Sequence, residues 1–104
     1  MDIELYKRKA QIIKVLAHPS RLIMIDALAE GEICVCDLQR LVGADMSTVS
    51  KHLSVMKNAG IVTDRKEGLK VFYRLRVPCV MRFFDCIDAV LRDQQSVYTC
   101  IVGE

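Results

Sequence analysis

Apolar residues return at helical spacing in five stretches of this chain and cluster as strand-like runs in one more. Between about Ile3 and Leu16, Leu5, Ile12, Ile13 and Leu16 fall on one stripe, with lysine and arginine on the opposite face. Pro19 ends that helix, and Ser20 is placed to cap a second through about Leu28, with Leu22, Ile25 and Leu28 inward. Ala29-Glu30-Gly31-Glu32 is a break. A third helix follows, with Val35, Leu38, Leu41 and Val42 at helical spacing. After Gly43-Ala44-Asp45-Met46-Ser47, a turn holding two candidate N-caps, a fourth helix spans about Ser47 to Asn58. It buries Val49, Leu53 and Met56 and exposes Thr48, Ser50, Lys51, Ser54 and Lys57. Ile61 to Arg65 and Leu69 to Leu75 are rich in β-branched and aromatic residues around Glu67-Gly68, which predicts a hairpin. Pro78 opens a last helix, about Cys79 to Ser96.

Three helices, a helix after a tight turn, a hairpin and a closing helix make a mainly α (α+β) fold. It is a winged helix-turn-helix of about five helices with a β-hairpin wing, one domain over residues 1–104. Residues 34–58 are the helix-turn-helix, 61–75 the wing, and 1–17 and 79–100 the terminal helices. A 104-residue chain that is 52% apolar has more hydrophobic surface than so small a core hides, which points to a dimer with a shared core. No apolar run reaches the roughly 20 residues of a membrane span, and Met1-Asp2-Ile3-Glu4 does not read as a signal peptide. The expected compartment is the cytoplasm, and five cysteines, an odd number, fit it better than a secreted disulfide scaffold.

The net charge is only +2, but Lys51, Lys57, Arg65, Lys66, Lys70, Arg74 and Arg76 crowd one region. A helix that reads the major groove, about 12 Å wide, buries one stripe and offers short polar and basic side chains on the other. Ser47, Thr48, Ser50, Lys51 and His52 meet that need, with the hydroxyls near the helix N-terminus, where free amides bind phosphate or base edges. Arg65, Lys66 and Lys70 surround the glycine turn of the hairpin, as suits a wing lying on the phosphate backbone. Double-stranded DNA is the expected partner.

Cys34 and Cys36 stand one residue apart at the start of the third helix. Thiolates select soft metals and metalloids over magnesium or calcium, and a helix N-terminus favours the thiolate. In a regular helix, however, residues two apart diverge by about 200°. The pair can share an ion only if the first turn is frayed or unwound, and ligation would then distort the support of the reading helix. Cys79, Cys86 and Cys100 are spaced by seven and fourteen, about 10 Å between helical neighbours, too far to share an ion within one chain. Each is core, interface, or one ligand reaching the other subunit's pair; Cys100 is the candidate for that reach. His18 lacks a second ligand at zinc-helix spacing and reads as structural.

Several segments together resemble the ArsR/SmtB family of metalloregulatory repressors. Leu16-Ala17-His18-Pro19-Ser20-Arg21-Leu22 is similar to the opening of that family's second helix. Glu32-Ile33-Cys34-Val35-Cys36-Asp37-Leu38 is similar to its thiolate motif, Ser47 to Leu53 to its recognition helix, and Gly68 to Leu75 to its wing. The resemblance covers about residues 10 to 77. It implies a homodimer built through the first and last helices, bound to a palindromic operator until an inducer ligates the cysteines. The implied inducers are arsenite and antimonite, or a soft divalent metal such as cadmium or lead. Arsenic-responsive relatives often have a third cysteine where this chain has Gln39, the cadmium and lead branch adds cysteines upstream of the pair, and this chain has none before Cys34. With Asp85 and Asp88 but no histidine in the last helix, the zinc site of some relatives is not expected. Two other readings stay open: a redox or reactive-sulfur sensor on the same fold, and a thiol metal carrier. An enzyme is not expected, because no histidine base is paired with a cysteine.

Overall fold

The computed structural model describes residues 1–92. Helix α1 runs Ile3–Leu16, capped by the Asp2 carboxylate on the Glu4 amide. Only Val15 and Leu16 of α1 are buried. Leu5, Ile12 and Ile13, expected on an inward stripe, are exposed, so α1 touches its own chain through its C-terminal end.

Helix α2 spans Pro19–Leu28. Its cap is His18, not Ser20: the His18 Nδ1 accepts the Ser20 amide at 3.2 Å, and Pro19 occupies the first turn, where a missing N–H costs nothing. Met24, Ile25 and Leu28 face inward, and Leu22 is displaced to the outer side.

A two-residue strand, β1 (Ile33–Cys34), precedes α3 (Val35–Val42). Cys34 is therefore extended, φ −78° and ψ 155°, and serves as the N-cap residue of α3. Of the four apolar positions expected inside α3, Leu38 is fully buried, Val35 and Val42 are half-buried, and Leu41 is 53% exposed. Gly43 ends the helix at φ +75°, the left-handed geometry for which glycine is suited.

Helix α4 covers Met46–Asn58. Asp45 caps it, its carboxylate accepting the Thr48 amide at 2.7 Å and the Ser47 hydroxyl at 3.0 Å. Strands β2 (Val62–Glu67) and β3 (Lys70–Leu75) pair antiparallel, with Glu67 opposite Lys70 across a two-residue turn. Gly68 has φ +63° at the first turn position, the requirement of a type II′ hairpin.

The sheet has three strands, ordered β1-β3-β2, rather than a hairpin alone. Ile33 pairs with Tyr73 and Cys34 with Phe72. Helix α5 (Val80–Arg92) follows a turn at Pro78–Cys79 and buries Phe84 and Ala89; its expected continuation to Ser96 lies outside the described residues.

One core, built on Met24, Ile25, Leu38, Val49, Leu53, Met56 and Val62, joins α2, α3, α4 and the sheet. Leu38 and Leu41 show identical periodicity but opposite burial. Leu38→Ala should cost about 2–5 kcal/mol and lower the urea midpoint at unchanged slope, whereas Leu41→Ala should stay within about 0.5 kcal/mol. Urea titration followed by circular dichroism checks both.

Candidate DNA-reading face and thiol cleft

Packing divides α4 into two faces. Val49, Leu53 and Met56 point into the core, while Ser47, Thr48, Ser50 and Lys51 are exposed along the other side. Lys57 is held by Asp64 of β2 at 3.0 Å. The first turn is less open than its sequence suggests, because Asp45 already occupies the Thr48 amide and the Ser47 hydroxyl.

His52 belongs to the inner face and is removed from the DNA-reading set. It is 8% exposed, its ring lies 4.4 Å from that of His18, and its Nδ1 accepts the Arg21 Nε–H at 3.0 Å. Arg21 also donates to the Val15 carbonyl at 3.0 Å. The cluster ties the reading helix to the end of α1 and the start of α2. Burial, and then the fields of His18, Arg21 and Lys51, hold the His52 imidazole below its ordinary pKa.

Arg65 is likewise a brace. Its Nε and Nη2 grip the Glu32 carboxylate at 2.7–3.0 Å, its Nη1 reaches Glu67 at 2.6 Å, and its guanidinium lies 4.7 Å from the Phe72 ring centre. The Arg65 hydrogen bond in turn holds Glu32 below the usual carboxylate range. Lys66 is exposed on the wing, and Lys70 is exposed at the start of β3.

The two cysteines are not two positions of one helix. Cys34 sits at the end of β1 and Cys36 in the first turn of α3, and both border a cleft of about 320 Å³. Met46 and Ser50 of α4 and Leu69, Lys70, Val71 and Tyr73 of the wing complete its walls, together with Val35. Cys34 is half-buried and Cys36 exposed, so neither sulfur is sealed in the core. The Cys34 thiol donates to the Asp37 carboxylate at 3.2 Å, and this bond, with Arg40 and Lys70 nearby, keeps Asp37 below its ordinary pKa. Gln39, at the position of the third cysteine in the resemblance, turns its amide to the Ala44 carbonyl.

A profile described as bacterial regulatory protein, arsR family, matches residues 18–64. The arsenical resistance operon repressor of Escherichia coli is 36% identical over 93 residues, covering 88% of this chain and 80% of that protein. The biofilm growth-associated repressor of Agrobacterium fabrum is 37% identical over 81 residues, covering 78% and 69%. The chain belongs to the arsR family of bacterial regulatory proteins. Among solved structures, a homodimeric winged helix-turn-helix DNA-binding domain from Mycobacterium bovis superposes with a TM-score of 0.73, at 32% identity, covering 86% of this chain and 82% of that one. Family and structural neighbours are DNA-binding transcriptional regulators, not enzymes.

In this arsR-family chain the fold brings Cys34, Cys36, Ser50 and Lys70 to one cleft, with Ser47, Thr48 and Lys51 on the adjoining helix and Lys66 on the wing. Cys100 lies outside the described residues. Cys79 is exposed on the turn before α5, and the cleft-lining residues do not include it. Among the described residues no three metal-ligating side chains converge, and no helix is long and apolar enough to cross a membrane. Residue periodicity alone left out Met46, Leu69 and Val71. Their spacing carried a signal, since Met46 and Ser50 are four apart on a helix and Leu69, Val71 and Tyr73 alternate along a strand.

A histidine with a depressed folded pKa binds its proton more readily when unfolded, so it contributes stability above its unfolded pKa of about 6.5 and loses it as pH falls through the folded value. Thermal unfolding between pH 8 and 5 should therefore show a drop below about pH 6.5. In His52→Gln that drop should vanish, while loss of the drop in wild type would contradict the buried neutral imidazole.

Proposed function

We propose that the protein is a homodimeric repressor that holds operator DNA when its thiols are free and releases it when Cys34 and Cys36 ligate trivalent arsenic or antimony, or a soft divalent metal such as cadmium or lead. One observation carries this reading: Cys34 and Cys36 line a cleft whose other lining residues come mostly from α4 and the wing. Ligand in that cleft touches both DNA-contacting elements at once.

The route from ligation to release is short. Drawing the sulfurs onto one atom pulls the end of β1 against the first turn of α3. Cys34 is paired with Phe72, so the pull passes into β3 and the wing. The Glu32–Arg65–Glu67 bracket makes the wing follow β1. Ligation also releases the Cys34 thiol proton and frees Asp37 from its bond.

Related names support the inducer class: the Escherichia coli and Staphylococcus xylosus relatives are arsenical resistance operon repressors, and one from Staphylococcus aureus is a cadmium resistance regulator homologue. Cys100, of this subunit or the partner, is the proposed third thiolate for inorganic arsenic or antimony. The dimer is proposed to form through α1 and α5. Ile3, Leu5, Ile12 and Ile13 on one, and Phe83, Ile87, Val90 and Leu91 on the other, remain exposed, and the Mycobacterium bovis neighbour is homodimeric.

Ser47, Thr48, Ser50 and Lys51 are proposed to enter the major groove, with Lys66 and Lys70 on phosphates. Two subunits each bringing Lys51, Lys66 and Lys70 predict an operator affinity that falls about a thousandfold between about 50 and about 200 mM salt. A flat response in fluorescence anisotropy would remove the DNA-binding role. In the same assay, Cys34→Ser and Cys36→Ser should bind operator within about twofold of wild type, as exposed substitutions do. Neither should be released by arsenite, and full release of both variants would place the sensing site elsewhere.

A further inference from the structure

The inner side of the reading helix carries a hydrogen bond that only a neutral imidazole can accept. Resting on the DNA-reading role proposed above, we infer that Arg21 is a positioning residue for operator recognition. Through His52 it holds α4 in its reading pose, and acid releases that hold without any inducer.

A guanidinium has N–H donors, no acceptor, and a charge that persists at any ordinary pH. The Arg21 Nε–H donates to the His52 Nδ1 at 3.0 Å, so that nitrogen is unprotonated and the ring carries its one proton on Nε2. A second proton has only Nδ1 to occupy, and there it meets the Arg21 N–H. Protonation of His52 and the bond from Arg21 exclude each other.

The surroundings provide no substitute partner. Helix α4 packs against α1 and α2, and the charged or titratable groups facing His52 are His18 ahead of α2, Arg21 on α2 and Lys51 on α4 itself. From α1 comes the Val15 carbonyl, which accepts the Arg21 Nη1–H at 3.0 Å. None of these is a carboxylate, so an imidazolium here is a buried cation beside a fixed one. Burial, and then those neighbours, already hold the ring below its ordinary pKa. The His18 Nδ1 accepts the Ser20 amide at 3.2 Å, a bond within the start of α2, so protonation of His18 does not detach α4.

His52 lies near the middle of α4, and Ser47 is five residues, about 7.5 Å, nearer the N-terminus. A tilt of about 10° at His52 moves Ser47 by about 1 Å. Hydrogen bonds to base edges, which need about 2.7–3.2 Å between heavy atoms, do not survive that shift. Attraction to phosphates carries no sequence information and tolerates it. Losing the bond therefore removes specific affinity and leaves nonspecific affinity in place.

The test measures fluorescence anisotropy of the reduced, metal-free full chain on operator and on a scrambled duplex, from about pH 7.5 to about pH 5.5 at fixed ionic strength. Because the reading pose requires the neutral ring, operator affinity is full above the folded pKa of His52 and is lost as pH falls through it. A fall of at least about threefold is expected on the operator, with none on the scrambled duplex. His52→Gln, which keeps an acceptor and cannot titrate, should bind operator independently of pH. Arg21→Met should lower the operator-to-scrambled ratio about tenfold at about pH 7.5 and lack the acid response, and Arg21→Lys should restore part of the ratio. The proposal is overturned if operator affinity stays flat or rises on acidification, as it would for a histidine facing DNA. Equal losses on both duplexes, as in general unfolding, or an acid response kept by His52→Gln overturn it too. His52→Gln decides the matter even if Arg21→Met fails to fold. Failure of the underlying reading looks different: wild type would then show no preference for operator at about pH 7.5.

Discussion

The pairing of Cys34 with Phe72 governs much of what this molecule can do. Two residues of strand, Ile33 and Cys34, hydrogen-bonded to β3, hold the backbone extended up to the first residue of α3. Without that strand the helix would be free to start earlier and carry both cysteines, whose side chains would then diverge. With it, Cys34 is set by sheet geometry and Cys36 by helix geometry, and both residues line the same cleft. The same pairing makes the cysteine-bearing segment part of the wing's sheet.

Charges reinforce this coupling more than they supply a basic surface. Arg65 spends its donors on Glu32 and Glu67 and its face on Phe72, spanning the approach to β1 and both wing strands. Exposed ion pairs of this kind contribute little to global stability, but a bidentate fork fixes orientation, and here the orientation is that of the wing relative to the thiols. On the other side of α4, the His18–His52–Arg21 cluster anchors the reading helix to α1 and α2. The reading helix thus rests on a polar anchor on its inner side and on a ligand-sized cleft beside its first turns.

Much of the remaining apolar surface has no partner among the described residues. Ile3, Leu5, Ile12 and Ile13 of α1 and Phe83, Ile87, Val90 and Leu91 of α5 stay exposed beside a small core, and a chain of this size gains a large fraction of its burial from a second copy. A dimer formed there would set the spacing between two reading helices, which is the quantity a palindromic site measures.

How far the sequence reached depended on the range of the forces involved. Element order, the winged helix-turn-helix class and the ends of α1 are local matters of periodicity, caps and turn glycines, and they stood in the residues themselves. Ser47, Thr48, Ser50 and Lys51 were legible as the outer face of α4 because a helix of known phase has only two faces. His52 was misjudged, because its inward role depends on His18 and Arg21, more than thirty positions away. Arg65 was read only as one of three wing cations suited to phosphate, because its partner Glu32 is invisible to local pattern. Strand β1 is too short to show alternation and exists only because β3 offers it an edge. The residues by themselves therefore determined the kind of scaffold and the presence of a soft-ligand pair. Only the tertiary structure decided that the pair shares a cleft with the reading helix and wing, because that depends on contacts between segments far apart in the chain.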